Sequence, residues 1–418
     1  MSGDVHVRFC ESGRGRFPPA THLELLERMA LAKRHGLRVD GHAAGATAEK
    51  ITALAAAGFT ADHESIDLEE ASAKLRNGYH VILRNSSLRP DLDALLPLVK
   101  EGRGSARLSV TSDGSGPAWI RSQGMVDGIV RRLVRAGVPI PRAVSLASLN
   151  PATYFGFDEH LGGIAPGRCA DLQVLNSFDG EPPEVVMVGG RVVARSGDLV
   201  APWEPWEWQR YLDIPAEVDL NLVGDPASYA TPTSPYESVP VMQFISAGIA
   251  RAGQATAGKS GWPEGCVLAV LFARDGARKS WAWMANFAPQ LEGLATSYTT
   301  SADYLVIGTD PAAMAMAARE AFSGAGGIAV VESGRVVASM ELDIAGSMSS
   351  RALEDVLGSW ERIDAAVRRG GYPFEELLFC LCFVTCDFLP DLRLVAEGLL
   401  EVKTNKIIVP GQILRNSH

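Results

Sequence analysis

Residues 1–150 alternate short apolar runs with longer segments in which apolar residues recur every three or four positions. The longer segments predict amphipathic helices and the short runs predict strands. Strands that alternate with helices predict a parallel sheet covered by helices. The predicted strands are Val5–Phe9, Gly36–Asp40, Ala57–Ala61, His80–Arg84 and Ala106–Thr111, and the predicted helices are Leu23–His35, Thr47–Ala56, Leu68–Asn77, Leu92–Glu101 and Val126–Ala136.

The pattern changes after residue 150. Residues 151–200 contain short β-like runs, and Gly189-Gly190 inside the run Val185–Ala194 predicts a hairpin. A segment rich in proline and tryptophan at 201–208 predicts a linker or an exposed patch, and a further α/β region follows it. We therefore expect three parts, residues 1–150, 151–200 and 201–418.

Two histidines stand at the carboxyl ends of consecutive predicted strands. His42 closely follows Asp40, His63 closely follows Ala61, and one predicted helix separates the two strands. Because a (β/α) barrel presents its catalytic groups at the carboxyl ends of its strands, we expect the two imidazoles to lie close together. The pair predicts a metal site, and a hydrogen-bonded loop residue is the alternative for either histidine alone.

Two carboxylates also follow the carboxyl ends of predicted strands. Glu11 follows the first predicted strand and Asp113 follows the last. Since carboxylates neutralise cations and orient the attacking water, we predict Glu11, His42, His63 and Asp113 as metal ligands. Asp113 is also the predicted acid–base group, and Glu64 is a second proton-transfer candidate, with a surface glutamate as the alternative. These ligands suit one or two divalent ions of Fe, Mn or Zn.

Length, charge and apolar content limit the classes of molecule that the protein can be expected to bind. The chain has 418 residues, which predicts two or three domains, and a net charge of −10, which argues against nucleic acid as a partner. No apolar run has membrane-spanning length and the amino terminus lacks the apolar region of a signal peptide, so we expect a cytoplasmic protein that acts on a small molecule rather than at a membrane.

Several motifs together resemble adenine deaminases of the amidohydrolase superfamily over nearly the whole chain. The motifs are Val39–Gly45, Ala61–Ser65, Leu68–Gly78, Leu149–Gly156, Gly163–Leu172, Ala325–Val331, Leu342–Met348 and Phe388–Leu394. The resemblance implies a (β/α)₈ barrel of the TIM type that deaminates adenine or a similar heterocycle. It also implies that His42 and His63 are ligands from the fifth and sixth strands, that Glu11 is a bridging ligand from the fourth, and that an aspartate after the eighth is catalytic.

The departures from the family pattern change this expectation. The family barrel opens with a His-x-His pair, and no two of the eight histidines here are two positions apart. We therefore expect α/β architecture with a partial (β/α)₈ barrel made of strands four to eight, then β-sandwich strands and a carboxyl-terminal α/β domain. Five strands cannot close an eight-stranded barrel, so we expect a second polypeptide that carries the His-x-His strand; further oligomer formation stays open.

Other departures lie near the predicted site. The family's Thr-Asp-Asp is replaced by Thr111-Ser-Asp-Gly114, so the acid position falls on either Ser112 or Asp113. The family's Arg-Glu-Gly-Ser becomes Arg84-Asn-Ser-Ser87, which loses a carboxylate at Asn85, and a histidine-rich stretch becomes Ser297–Tyr304.

Three hypotheses follow from the match and its departures. The first is one subunit of a split, metal-dependent adenine deaminase or of a related hydrolase that acts on C–N bonds of cyclic amidines. The second is a non-catalytic scaffold or regulatory subunit that keeps the fold without the chemistry. The third is a fragment, or a chain with a mis-assigned start.

Overall fold

The computed structural model describes residues 19–102, 104–202, 207–211, 218–230, 238–256, 258 and 262–414. The chain divides into two compact units, residues 1–206 and 207–418. The predicted strand Val5–Phe9 and Glu11 lie outside the described residues. The division of the first unit near residue 150 stays a prediction.

The first unit contains a parallel sheet in the order β1-β2-β3-β4 among its described residues. Its strands are β1 (Asp40–Gly41), β2 (Ala61–Asp62), β3 (His80–Arg84) and β4 (Leu108–Thr111). Its helices are α1 (Pro19–Arg34), α2 (Ala48–Ala57), α3 (Leu68–Arg76), α4 (Leu92–Glu101), α5 (Pro117–Gln123), α6 (Val126–Arg135), α7 (Ile140–Ala147) and α8 (Leu149–Phe155). The parallel sheet and helices of the described residues agree with the predicted fold class, a parallel α/β arrangement of the barrel type.

The first two strands are shorter than predicted and begin later. Helix α2 continues through Ala57 and ends at Gly58, which has a φ of 117°, so the apolar run that follows leaves only Ala61–Asp62 for β2. In β1, Gly41 makes a close approach possible, because a Cβ there would stand 2.3 Å from Cε1 of Phe59. Glycine thus lets Phe59 pack against the backbone directly before His42.

The core of this unit lies between the sheet and its helices. Val81 and Leu83 of β3 and Leu92 and Leu95 of α4 are fully buried in it. A strand with apolar residues on both faces is typical of a parallel sheet with helices on its faces. This buried frame supports the carboxyl ends of the strands, where the candidate site lies.

A second, antiparallel sheet follows in the same unit. Its strands are β5 (Leu172–Val174), β6 (Val185–Val188), β7 (Arg191–Arg195) and β8 (Asp198–Leu199), in that order. The predicted hairpin is present, since β6 and β7 pair on either side of Gly189-Gly190. Both glycines have positive φ, as a two-residue hairpin turn requires.

The second unit has a mainly antiparallel sheet with helices. The main sheet comprises β9 (Ser238–Phe244), β10 (Ala250–Thr256), β11 (Cys266–Phe272), β12 (Arg278–Ala285), β13 (Gly293–Thr296), β14 (Tyr304–Gly308), β15 (Gly327–Glu332), β16 (Arg335–Glu341) and β20 (Gln412–Ile413), and a smaller sheet comprises β17 (Leu392–Val395), β18 (Gly398–Glu401) and β19 (Lys406–Pro410). The helices are α9 (Leu220–Val223), α10 (Pro311–Ala321), α11 (Leu353–Arg369) and α12 (Leu377–Phe383).

Helix α10 packs closely on the main sheet of the second unit. Its buried alanines, with Met314, join the core formed by β11, β14 and β15. A Cβ on Gly293 of β13 would stand 2.4 Å from the carbonyl carbon of Ala313, so only glycine allows this contact. No helix among the described residues combines the length and the apolar composition that crossing a membrane would require.

His80 lies at the amino end of β3, at the end of the sheet opposite to His42 and His63, and it is buried there. Its Nε2 lies 2.6 Å from Oγ of Ser109, and its ring stacks on Tyr154 with centroids 4.4 Å apart. Burial, with Arg107 and Arg38 nearby, lowers the pKa of His80 to about 4.

We predict that this histidine makes the protein less stable in mild acid. Between pH 4 and 6.5 the unfolded chain binds this proton and the folded chain does not, so stability falls as the pH falls. The loss from pH 7 to pH 5 is about 2 kcal/mol. Urea unfolding at both pH values measures it, and His80→Gln should reduce this difference. An unchanged difference in the variant would refute the prediction.

Candidate metal centre

Two short strands bring His42 and His63 together. Strand β1 ends directly before His42, and β2 ends directly before His63. Because the two strands pair in parallel with Gly41 opposite Asp62, the residues that follow them emerge side by side. The imidazole centroids lie 4.5 Å apart, with the rings edge to face.

Glu64 adds a carboxylate to this pair. Its Oε1 lies 3.1 Å from Nδ1 of His42 and 4.0 Å from Nε2 of His63. One ligand atom from each of the three residues can be chosen so that all lie within 4.8 Å of one another. Two atoms bound to the same Zn²⁺ at about 2.1 Å each lie roughly 3–4 Å apart, so small side-chain adjustments would let these three hold one ion. The donor set also suits Fe²⁺ and Mn²⁺.

Asp40 stands behind His63. Its Oδ2 lies 3.7 Å from Nδ1 of His63, on the ring nitrogen opposite the one nearest Glu64. Burial acts to lower the pKa of His63, but Asp40, with Glu64 and Asp113, raises it above the ordinary histidine value. A carboxylate behind a ligating imidazole orients the ring and increases its basicity.

Arg84, the last residue of β3, links the carboxylates of the site. Its guanidinium is 3% exposed and bonds Glu64 through two nitrogens, at 2.6 and 3.2 Å. It also donates to Asp113 at 3.0 Å and to Asp91 at 3.3 Å. Burial opposes ionisation of Glu64, yet its hydrogen bonds with His42 and Arg84 hold its pKa well below the usual range. Glu64 is therefore a carboxylate at neutral pH.

The sequence-predicted residues fall into three groups. His42, His63 and Glu64 form the candidate cation-binding trio. Asp113 lies outside that trio but shares Arg84 with Glu64. Of the two candidates for the acid position, Ser112 is buried, whereas the carboxylate of Asp113 reaches the arginine of the site. Glu11 lies outside the described residues.

Sequence reasoning missed the charged residues that support this site. Lys74 is fully buried and bonds both Asp62 and Glu70, which are buried as well. A signal was present, since Glu70 and Lys74 stand four residues apart on α3 and can pair on one helix face. Arg84 was readable as the one charged side chain at the end of an apolar strand.

Comparison with known proteins gives consistent matches. Residues 5–193 match the amidohydrolase family, and residues 252–406 match the adenine deaminase C-terminal domain. The chain is 30% identical to a protein of Halalkalibacterium halodurans that is provisionally named an adenine deaminase, over 93% of this chain and 66% of that protein. It is also 30% identical to the adenine deaminases of Cenarchaeum symbiosum and Dehalococcoides mccartyi, over 89% of this chain in both cases and 63% and 66% of the relatives. The chain thus spans just under two thirds of the length of these relatives.

The trio of His42, His63 and Glu64 predicts a measurable metal affinity. We expect His42→Ala and His63→Ala each to weaken Zn²⁺ binding by at least about 100-fold, because even the loss of an outer-sphere partner costs roughly 10- to 100-fold. Competition titration with a chelating dye measures this affinity. His160→Ala, which changes an exposed histidine outside the trio, is the matched control. Equal affinity in all variants would mean that Zn²⁺ binds elsewhere.

Arg84 should also be important for stability. Arg84→Met leaves Glu64 and Asp113 without their shared cation, and breaking a buried ion pair from one side costs about 3 kcal/mol. Denaturant unfolding measures the loss. Arg132→Met is the control, because Arg132 pairs with Asp93 on the exposed surface, where a pair contributes less than about 1 kcal/mol. Similar losses in the two variants would contradict a special role for Arg84.

Proposed function

Because this chain belongs to the amidohydrolase family and carries an adenine deaminase C-terminal domain, we propose that it is one subunit of a metal-dependent hydrolase that deaminates adenine or a related heterocycle. The reaction converts adenine and water to hypoxanthine and ammonia. The single observation that carries the proposal is the convergence of His42, His63 and Glu64 at the carboxyl ends of adjacent parallel strands. The names of the relatives supply the substrate class.

Hydrolytic deamination needs a nucleophilic hydroxide and groups that move protons to the ring and to the departing ammonia. A divalent metal held by His42, His63 and Glu64 would supply the hydroxide by lowering the pKa of water toward about 7. Asp113 is partly exposed and stands at the rim of the site, so it can accept a proton from water and return it to the substrate. Arg84 holds Asp113 close to Glu64 and limits the positions that its carboxylate can take.

Glu64 has a narrower role in this arrangement. Its low pKa keeps it ionised, so it favours accepting hydrogen bonds and balancing positive charge. To pass a proton to the substrate, Glu64 would first have to take one up, and this uptake would require its contacts with Arg84 and His42 to loosen. We therefore assign proton transfer first to Asp113 and second to Glu64.

A second polypeptide forms part of the proposal. The described residues of the first unit supply four parallel strands, and a closed barrel of this type needs eight. A strand with a His-x-His pair would add imidazole ligands to the trio and would cover an edge of the sheet. We propose that the partner chain contributes this strand and those adjoining it.

A scaffold or regulatory subunit is the competing function. It is favoured by one feature of the site, which is that Arg84 engages both Glu64 and Asp113. Asn85 adds to it, because its side chain is buried and its Oδ1 has no hydrogen-bond partner among the described residues, at a position where the family that the sequence resembles has a carboxylate.

Purification of the tagged chain from its native cells tests both functions. We expect a co-purifying protein with a His-x-His strand, about one or two transition-metal ions per complex, and ammonia release from adenine that His63→Ala or Asp113→Asn reduces by at least about 100-fold. His160→Ala is the control. A metal-free complex would favour the scaffold function, and a metal-loaded complex that releases no ammonia from adenine or related rings would reject the proposed deaminase.

A further inference from the structure

Two loops carry the histidines of the site, residues 42–47 with His42 and residues 63–67 with His63, and we call them the histidine loops. A buried cluster of three charged side chains lies beneath them. Lys74 on α3 and Asp62 on β2 are fully buried, and Glu70 on α3 is 9% exposed. The Nζ of Lys74 lies 2.5 Å from Oδ1 of Asp62 and 2.8 Å from Oε1 of Glu70. A single ammonium therefore holds two carboxylates that would otherwise repel each other in a poorly solvated place.

Each of these carboxylates bonds one backbone amide from each histidine loop. Asp62 accepts from Ala43 N and from Glu64 N, both at 2.9 Å. Glu70 accepts from Gly45 N at 3.0 Å and from Ile66 N at 3.1 Å. These hydrogen bonds cross-link the loop that carries His42 to the loop that carries His63.

Strand pairing alone would position these loops weakly. Strands β1 and β2 have two residues each, so their ladder ends directly before the histidines. The side chain of His42 is 57% exposed, so the packing of its ring can restrict it only in part. The four hydrogen bonds from backbone amides to Asp62 and Glu70, together with the burial of Ala43 in the core, therefore constrain where the two backbones lie.

We propose that Lys74 is a positioning residue, which sets the separation of His42 and His63 by holding Asp62 and Glu70 under their loops. Insofar as the two histidines bind a metal, this inference rests on the proposed function. The i, i+4 spacing of Glu70 and Lys74 would by itself stabilise only α3. The bonds to Asp62 on β2 and to both loops extend the effect of Lys74 beyond its own helix.

Hydrogen exchange in the metal-free protein tests the positioning directly. In Lys74→Met we expect the amides of Ala43, Gly45, Glu64 and Ile66 to exchange at least about 10-fold faster than in the unmodified chain, because their acceptors lose the shared cation. Amides in the buried strand β11 of the second unit should exchange as before. Lys100→Met, which changes an exposed lysine on α4, is the matched control. Unchanged exchange at the four amides would overturn the inference.

Cobalt binding tests the consequence for the histidines. We expect Lys74→Met to weaken Co²⁺ binding by about 10- to 100-fold and to change its visible absorption spectrum, which reports ligand geometry. Lys100→Met should leave both unchanged. Faster exchange at the four amides with unchanged affinity and spectrum would also overturn the inference, because the loops would then have moved without moving the ligands.

A milder variant covers the case in which Lys74→Met does not fold. Glu70→Gln keeps one acceptor oxygen and replaces the other with a donor, so we expect faster exchange at Gly45 or Ile66 and smaller changes at Ala43 and Glu64, which bond Asp62. Equal changes in exchange at all four amides, or no change at any of them, would contradict the proposal that Glu70 holds Gly45 and Ile66 while Asp62 holds Ala43 and Glu64. If the unmodified chain fails to bind Co²⁺ both alone and with its co-purified partner, the proposed function fails, and the exchange results still decide the role of Lys74.

Discussion

The hydrogen bonds from two loops to a pair of buried carboxylates are the constraint on which the site depends. Because β1 and β2 are so short, the loops rely on Asp62 and Glu70, and these acids rely on Lys74. The side chains of three consecutive residues then point in different directions and make different contacts. Asp62 points into the buried cluster, His63 faces the other imidazole, and Glu64 reaches Arg84. One tripeptide thus connects the support of the site to its ligands and to its charge balance.

Much of the fold could be predicted from periodicity. The strand His80–Arg84, the helix Leu92–Glu101 and the hairpin at Gly189-Gly190 agree with the structure, because each has an unambiguous apolar pattern or turn sequence. The predicted boundaries of β2, Ala57–Ala61, were wrong. The alanine-rich helix α2 continues through Ala57, and the strand begins only at Ala61. Short helices such as α7 and α8 were missed, since fewer than three turns give little periodic signal.

The site was less predictable than the fold, for a physical reason. Histidines after strands follow from local sequence, so the approach of His42 to His63 could be anticipated. The role of Arg84 depends on which acids stand beside the end of β3 in space, and Glu64 lies twenty residues earlier in the chain while Asp113 lies twenty-nine later. Lys74 reads as a solvated helix residue until Asp62 is known to lie beneath it. Contacts across sheet neighbours carry this information, and a single sequence does not.

The balance of charge around the histidines favours a divalent cation. Glu64, Asp91, Asp113 and Asp40 contribute four carboxylates, and Arg84 and Arg89 contribute two guanidiniums. When both imidazoles are neutral this leaves two negative charges in excess. Glu64 and Arg84 are largely removed from water, whereas Asp40 and Asp113 are partly exposed. Water screens part of this excess at Asp40 and Asp113, and a divalent ion would balance it at the position where three ligand atoms already converge. Arg84 and Arg89 therefore offset two of the four carboxylate charges, and a divalent ion on the trio would offset the other two.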